Sequence, residues 1–159
     1  MKSPVKLSLY SVFSSALILI VLLVLLYNSR TDFEIWLDAG MIVFLMLCVL
    51  IYMPLSISAD ANGLVVRRPL KSKTIQLSEI QSIALCQSAV EKLRYFGSGG
   101  FFGYWGWFRD RRYGKYFAYY GNTSNCFLLR LNDGRQYVLG CENPQAIVET
   151  VQAALGNRC

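Results

Sequence analysis

The chain has 159 residues, of which 54% are hydrophobic and 16% are charged, and its formal net charge is +6. Soluble proteins carry roughly 25% charged residues, so this composition indicates a chain with a substantial apolar segment, and the length leaves room for one domain and an anchor. The sequence contains no histidine, which excludes Ser-His-Asp and Cys-His catalytic arrangements.

Two long uncharged segments lie in the first third of the chain, at residues 7–27 and 39–57. A helix of about 20 apolar residues crosses the hydrocarbon core of a bilayer, so both segments are predicted to be transmembrane helices. Tyr27, Trp36 and Tyr52 lie near the segment ends, where aromatic rings favour the headgroup level.

Two other interpretations of these segments are open. Either segment could be a buried core helix, although two uncharged segments of this length are unusual in a soluble domain. The first could also be a cleaved signal peptide with Lys2 and Lys6 as its basic start. Against cleavage, the apolar stretch is long and no small-x-small site follows Leu26.

Basic residues near the two segments predict the orientation. Lys2 and Lys6 precede the first segment, whereas Arg30 stands beside three carboxylates in the predicted loop, residues 28–38. Four basic residues follow the second segment: Arg67, Arg68, Lys71 and Lys73. Because Lys and Arg accumulate on the cytosolic side, the sequence predicts a multi-pass protein of the cytoplasmic membrane with both termini in the cytosol.

Residues 58–159 are predicted to form a β-rich domain. Short segments rich in β-branched and aromatic residues are separated by turn signals such as Asn62-Gly63 and Asp133-Gly134. About seven strands are predicted, followed by an amphipathic helix that starts at Pro144 and ends near Gly156.

The predicted fold class is therefore α+β. A two-helix transmembrane hairpin occupies residues 1–57, and an antiparallel β-barrel or sandwich occupies residues 58–159. The C-terminal helix is expected to close the open end of the barrel.

No catalytic, cofactor or metal site is predicted. The cysteines are far apart and contain no CxxC, so neither a disulfide framework nor a metal-ligand spacing is visible. They are Cys48, Cys86, Cys126, Cys141 and Cys159. The carboxylates of the domain fall mostly at predicted turns, where solvated side chains are the ordinary case.

Glycine recurs at every third position from Gly97 to Gly106, with six aromatic residues in this stretch up to Phe108. The segment is predicted to be a loop, residues 97–108. It is not a phosphate-binding loop, because no Gly-Lys-Ser/Thr follows and a Gly-x-Gly-x-x-Gly pattern would need glycine in place of Phe102. Two interpretations stay open: the loop packs into the core, or it contacts a membrane or a partner.

Two groups of cations are candidate contact sites. The first follows the glycine-aromatic segment and consists of Arg109, Arg111, Arg112 and Lys115, with Trp105 and Trp107 as anchors. The second consists of Arg67, Arg68, Lys71 and Lys73. Aromatic side chains beside cations suit an anionic membrane surface. Nucleic acid is not expected as a partner, because no RNP-type motif or zinc finger is present.

Four stretches of the sequence resemble the bacterial PH-domain (pleckstrin-homology-like) family, and the likeness covers roughly residues 56–155. They are residues 97–109, 114–116, 129–139 and 142–144. The resemblance implies a PH-like barrel of the kind that is frequently attached to transmembrane helices. Eukaryotic PH domains commonly bind phosphoinositides through basic residues in and after their first strand. The first predicted strand here, Leu55 to Ala59, contains no Lys or Arg, so a dedicated phosphoinositide pocket is not expected.

The sequence thus predicts a membrane-anchored, non-catalytic PH-like module at the cytoplasmic face of the membrane. Its expected ligand is anionic lipid headgroups or a protein partner. The alternative is an accessory subunit of a membrane complex, in which the transmembrane helices make the specific contacts and the barrel is a scaffold.

Overall fold

The computed structural model describes residues 1–60, 62–86 and 92–156, with the backbone alone at residues 92–94. The helices of these ranges are α1 (Leu9–Asn28), α2 (Asp32–Tyr52) and α3 (Pro144–Gly156). The strands are β1 (Lys2–Pro4), β2 (Ser56–Asp60), β3 (Gly63–Arg67), β4 (Lys73–Gln76), β5 (Ile80–Leu85), β6 (Lys92–Gly100), β7 (Gly103–Asp110), β8 (Gly114–Tyr120), β9 (Cys126–Leu131) and β10 (Gln136–Gly140). A short 3-10 turn, Leu77–Glu79, joins β4 and β5.

The second apolar helix begins earlier than predicted. The Thr31 hydroxyl accepts a hydrogen bond from the backbone N–H of Glu34 at 3.3 Å, and the Glu34 carboxylate accepts one from the N–H of Thr31 at 3.2 Å. This capping box starts α2 at Asp32. Most of the segment predicted as an acidic loop is therefore helical, and the turn between the helices is reduced to residues 29–31.

The same helix also ends earlier than predicted. Pro54 disfavours the helical conformation at Met53, so α2 stops at Tyr52 instead of residue 57. The residues that follow form the connection to β2 and the start of that strand.

Both N-terminal helices are long and apolar enough to cross a membrane by length and composition. Most of their side chains are exposed, for example Leu17 (64%) and Phe44 (65%). The core helix of a soluble domain would bury such side chains, so α1 and α2 are not core helices of this domain. Their apolar surfaces need a covering that the domain does not supply.

The strands form two sheets. One contains β1-β2-β3-β4 and is antiparallel, and the other has the order β5-β9-β10-β8-β7-β6. In the second sheet β8 and β10 run parallel, and the other neighbours are antiparallel. The predicted α+β class is confirmed. The described residues form ten strands where about seven were predicted, and one strand pair departs from the predicted antiparallel arrangement.

The prediction of a loop at residues 97–108 is wrong, because this segment is a β-hairpin. It forms the second half of β6 and most of β7, with Phe101 and Phe102 at the turn. Gly97 lies opposite Gly106 in the ladder. Glycine weakens strand propensity, which is why the composition indicated a loop, but here it permits a close approach of the two backbones.

Strand β1 was not predicted, and it ties the N-terminal residues to the domain. Ser3 pairs with Ile57 in β2, and Lys6 Nζ lies 2.5 Å from a carboxylate oxygen of Glu142. The residues before α1 and those after α2 are thus neighbours in one sheet, so the helical hairpin leaves the domain and returns to it on the same side. Strand β2 crosses the predicted boundary between residues 57 and 58.

The main core lies between the two sheets and α3. From α3, the side chains of Ile147, Val148 and Val151 are buried, as the helical spacing predicted. A second cluster lies on the other face of the six-stranded sheet and includes Tyr116 and Tyr120. Burial raises the pKa of Tyr116 to about 12, and burial also raises the pKa of Tyr120.

The cysteines within the described ranges are Cys48, Cys86, Cys126 and Cys141, and they form no disulfide with one another. Cys159 lies outside the described residues, as does the first part of the strand predicted from Ala89 to Phe96. The described part of that strand is β6.

Candidate functional site

The end of α2 packs directly on the six-stranded sheet. The ring of Tyr52 stacks on Trp105, with centroids 5.3 Å apart and planes 7° from parallel. Trp105 is 8% exposed, and its Nε1–H donates to the carbonyl oxygen of Phe101 at 3.2 Å. Trp105, predicted to be a membrane anchor, therefore does not reach the surface, because α2 covers it.

Trp107 lies on the same face of β7 as Trp105 but beyond the end of α2. It is half-buried, and its ring meets Phe117 edge to face at 5.2 Å. Lys115 Nζ lies 4.8 Å from the centre of the Trp107 ring. An exposed cation–π contact of this kind contributes about 0.5–1 kcal/mol. Trp107 is thus available at the surface together with a cation.

The connection between β3 and β4 lies beside the last turn of α2. We call residues 67–73 the basic loop. The backbone N–H of Leu70 donates to the carbonyl oxygen of Leu50 at 3.2 Å, which pairs one of the C-terminal carbonyl groups of α2. Leu70 is 63% exposed, and Arg67 and Lys71 are also exposed. The basic loop therefore presents cations and an apolar side chain where α2 joins the domain.

Arg68 holds the basic loop against the six-stranded sheet. Its Nε donates to the carbonyl oxygen of Lys71 at 2.6 Å, and Nη1 donates to the hydroxyl of Tyr119 at 3.3 Å. The guanidinium carbon lies 5.6 Å from the centre of the Tyr119 ring. Burial raises the pKa of Tyr119, and the positive charge of Arg68 opposes that rise. Arg68 is thus a positioning residue of the loop as well as one of its cations.

A row of aromatic rings connects the two groups of cations. The Phe117 ring lies 4.8 Å from that of Tyr119, which contacts Arg68, and 5.2 Å from that of Trp107, which contacts Lys115. Each contact is between neighbours on one sheet face. Arg68 and Lys115 thus lie at the two ends of a continuous row of aromatic rings.

The remaining predicted site residues lie far from the helices. Arg111 and Arg112 are in the β7–β8 turn, whereas the other end of β7, at Gly103, lies beside Leu7, two residues before α1 begins. From Gly103 to Asp110 is seven residues, or about 23 Å along a strand. The buried Asp110 carboxylate accepts the N–H of Arg112 at 2.7 Å and fixes this turn.

Arg109 is exposed and lies one residue before Asp110, at the end of β7 that leads into this turn. Its Nη1 donates to the hydroxyl of Tyr95 at 3.4 Å, and Lys115 is its neighbour on β8. The structure therefore brings the basic loop to α2, and it keeps Arg109 and Lys115 together with Arg111 and Arg112 at the far end of β7.

The model of the bacterial PH domain family matches residues 55–155. This span runs from the residue before β2 to the last turn of α3, and it is well over half of the 159-residue chain. The chain belongs to the bacterial PH domain family. The resemblance noted in the sequence is thereby confirmed. Comparisons with curated proteins and with solved structures gave no match.

Strand β1 and both apolar helices lie outside the matched part of this bacterial PH domain, yet they contact it closely. Sequence reasoning missed the residues of α1 that do so. Ser8, Ser11, Ser14 and Ser15 follow one another at helical spacing and so share one face of an otherwise apolar segment. A polar stripe at the start of an apolar helix was the signal that could have revealed this contact.

The described part of the PH domain offers no catalytic constellation that we can identify. Within it, no group of three or more His, Cys, Asp or Glu side chains could hold a metal ion. A cavity of about 470 Å³ lies beside the start of α3, and Glu142 is the one carboxylate among its described lining residues. The surface around the ends of the helices is the stronger candidate for a binding site.

Proposed function

We propose that the protein is an integral protein of the cytoplasmic membrane, in which α1 and α2 hold a non-catalytic bacterial PH domain at the cytosolic face. The proposed ligand is anionic lipid headgroups, bound by the basic loop. Helices of 20 and 21 residues are about 30 Å long, which matches the hydrocarbon core of a bilayer. Their exposed apolar side chains and the return of the hairpin to one sheet support two spans.

The observation that carries the lipid proposal is the hydrogen bond from Leu70 to Leu50. Leu50 lies two residues before the end of α2, so a membrane-spanning α2 would hold the basic loop at headgroup level. An exposed leucine flanked by cations is suited to that level, where apolar side chains enter the interface and cations meet phosphates. Arg67 and Lys71 are the exposed cations of this loop.

A protein partner is the second candidate, and the far end of the domain favours it. Arg111 and Arg112 are exposed about 23 Å along β7 from the end that lies beside Leu7. Salt screens charges beyond about 8 Å in physiological conditions. An acidic surface of a cytosolic protein would fit this turn better than lipid would. The accessory-subunit alternative also remains, with the exposed faces of α1 and α2 as the contact.

The lipid proposal is tested with the full-length protein in nanodiscs. Phosphatidylglycerol is titrated into a phosphatidylcholine bilayer, and bound lipid is measured by native mass spectrometry. Each cation near the surface contributes about 1 kcal/mol, so Arg67→Gln with Lys71→Gln is expected to weaken phosphatidylglycerol binding by about 2 kcal/mol, or about 30-fold, at low salt.

The matched control removes the same charge from the far end, by Arg111→Gln with Arg112→Gln. This variant is expected to bind phosphatidylglycerol as the wild type does. An equal loss of phosphatidylglycerol affinity in both double variants, or no loss in the variant of the basic loop, would contradict a lipid site on the basic loop.

A further inference from the structure

The turn of the β6–β7 hairpin is docked on α1. We call residues 100–103 the hairpin tip. The hydroxyl of Ser14 donates to the carbonyl oxygen of Gly100 at 3.1 Å, and the N–H of Phe102 donates to the Ser15 hydroxyl at 2.8 Å. The Ser15 hydroxyl in turn donates to the carbonyl oxygen of Ser11 at 2.6 Å. A Cβ on Gly100 would lie 2.9 Å from the Tyr10 ring, so the backbone of the tip touches the helix directly.

We infer that the hairpin tip is inserted into the membrane beside α1, with the half-buried ring of Phe102 at the boundary between headgroups and hydrocarbon. The ligand of this surface is the apolar region of the lipid bilayer. The inference rests on the proposed membrane span of α1, and it adds a second, non-helical segment of the domain to the membrane-embedded part.

The position at which the hairpin tip contacts α1 gives the depth of the tip in the bilayer. Ser15 lies six residues after Leu9, the first residue of α1, which is about 9 Å along the helix axis. The headgroup layer on one side of a bilayer is about 5–8 Å thick. At the same level, other faces of α1 expose Phe13 (72%) and Leu17 (64%). A membrane that covers these side chains must also surround the tip.

Three backbone groups of the tip have the hydrogen-bond partners that an apolar environment requires. In hydrocarbon an unpaired N–H or C=O group is strongly unfavourable, and no water is present to pair it. The carbonyl oxygen of Gly100 and the N–H of Phe102 are paired with serines of α1. The carbonyl oxygen of Phe101 accepts from Ser98 Oγ at 2.9 Å and from Trp105 Nε1 at 3.2 Å. These side chains supply the pairing that water provides at an ordinary exposed turn.

The sequence of the hairpin agrees with this location. No charged residue occurs from Tyr95 to Phe108. Phe102 has φ of 51°, a left-handed conformation that glycine or asparagine adopts with less strain. Its ring packs edge to face on Phe101 with centroids 5.0 Å apart. Phe101 is 8% exposed and so is covered by the protein, which leaves the half-buried Phe102 ring to enter an apolar medium.

Insertion of the tip would fix the orientation of the PH domain. The tip contacts α1, while the basic loop contacts the last turn of α2. With both segments held at the membrane, the domain is attached at more than one point and does not swing on a linker. The far end, with Arg111 and Arg112, then points away from the bilayer.

The experiment uses the full-length protein in phosphatidylcholine and phosphatidylglycerol nanodiscs, with a photoreactive p-benzoylphenylalanine at one position at a time. Phe102→p-benzoylphenylalanine tests the tip, Leu17→p-benzoylphenylalanine tests α1, and Arg112→p-benzoylphenylalanine is the control at the far end. After irradiation, lipid adducts are identified by mass spectrometry. Comparable lipid adducts at positions 102 and 17, with none above background at 112, are expected.

The outcomes separate the inference from the proposed function. Lipid adducts at position 17 without adducts at position 102 would overturn tip insertion and leave the span of α1 intact. Absence of adducts at both positions would contradict the span itself. The smaller Phe102→p-cyanophenylalanine guards against misfolding of the first variant. Its nitrile stretch is expected at the low wavenumber of an apolar solvent, and a water-like band would also overturn the inference.

Discussion

Replacement of Gly106 by alanine is expected to destabilise the domain by about 3–5 kcal/mol, because steric overlap and backbone strain add together. A Cβ on Gly106 would lie 2.2 Å from the carbonyl oxygen of Phe96 and 2.6 Å from Cα of Gly97. Both contacts are with backbone, so the two strands would have to separate. The φ of Gly106 is 125°, which adds strain for any L side chain.

The effect is measured as the change in unfolding free energy of the full-length protein in detergent, followed by near-UV circular dichroism. Gly134→Ala is the matched control. Gly134 also has a positive φ, of 83°, but no heavy atom lies within 4 Å of its added Cβ. The unfolding free energy of the control is expected to fall by only about 1–2 kcal/mol, because alanine is strained in a left-handed backbone conformation. Equal losses would show that the close approach of β6 and β7 is not what requires glycine.

Replacement of Trp105 by alanine is expected to cost about 3–5 kcal/mol, the range for a large aromatic side chain removed from a core. Trp105 is nearly buried, stacks on Tyr52, and donates a hydrogen bond to the turn of the hairpin. Trp107→Ala, at the half-buried neighbour, is expected to lower the unfolding free energy clearly less than Trp105→Ala does. Thermal unfolding of both variants in the same detergent compares them. A larger loss at Trp107 would contradict the packing of α2 on this face.

A double-mutant cycle isolates the contact between α2 and the domain. Trp105→Leu and Tyr52→Leu are made singly and together, and the coupling energy is taken from the three changes in unfolding free energy relative to the wild type. A stacked aromatic pair contributes about 0.5–1.5 kcal/mol beyond the buried area. If the losses of unfolding free energy in the two single variants simply add in the double variant, the helical hairpin is tethered to the domain without being packed on it.

The parts of the fold with local signals could be predicted from the sequence. The turn between β9 and β10, at Asp133-Gly134, and the start of α3 at Pro144 are set by neighbouring residues. Strand β1 has no such signal, since its partner β2 lies more than fifty residues away. The β6–β7 hairpin was missed for the opposite reason, because its glycines are a local signal for a loop and only their pairing shows their role.

The candidate site likewise contains features that the sequence could predict and features that depend on the tertiary fold. The basic loop follows α2 closely in sequence, so its position near the helix could be expected. Trp105 and Trp107 lie on the same face of β7, and the alternation of a strand cannot tell them apart. What distinguishes them is the position of α2, which covers Trp105 alone. That position depends on the tertiary fold, as does the distance of Arg111 from the helices.

In the proposed topology, the helical hairpin crosses the cytoplasmic membrane and holds the PH domain on the cytosolic side. The most direct test of this topology is cysteine labelling of Arg30→Cys, in the turn between the helices, and Arg111→Cys, at the far end of the domain. A membrane-impermeant maleimide is applied to intact spheroplasts and to permeabilised ones. We expect labelling of Arg30→Cys in intact spheroplasts, where the wild-type protein and Arg111→Cys are unlabelled. After permeabilisation, we expect labelling of Arg111→Cys to exceed that of the wild-type protein, which has five native cysteines. Labelling of Arg111→Cys from outside, or recovery of the protein in the soluble fraction, would contradict the account.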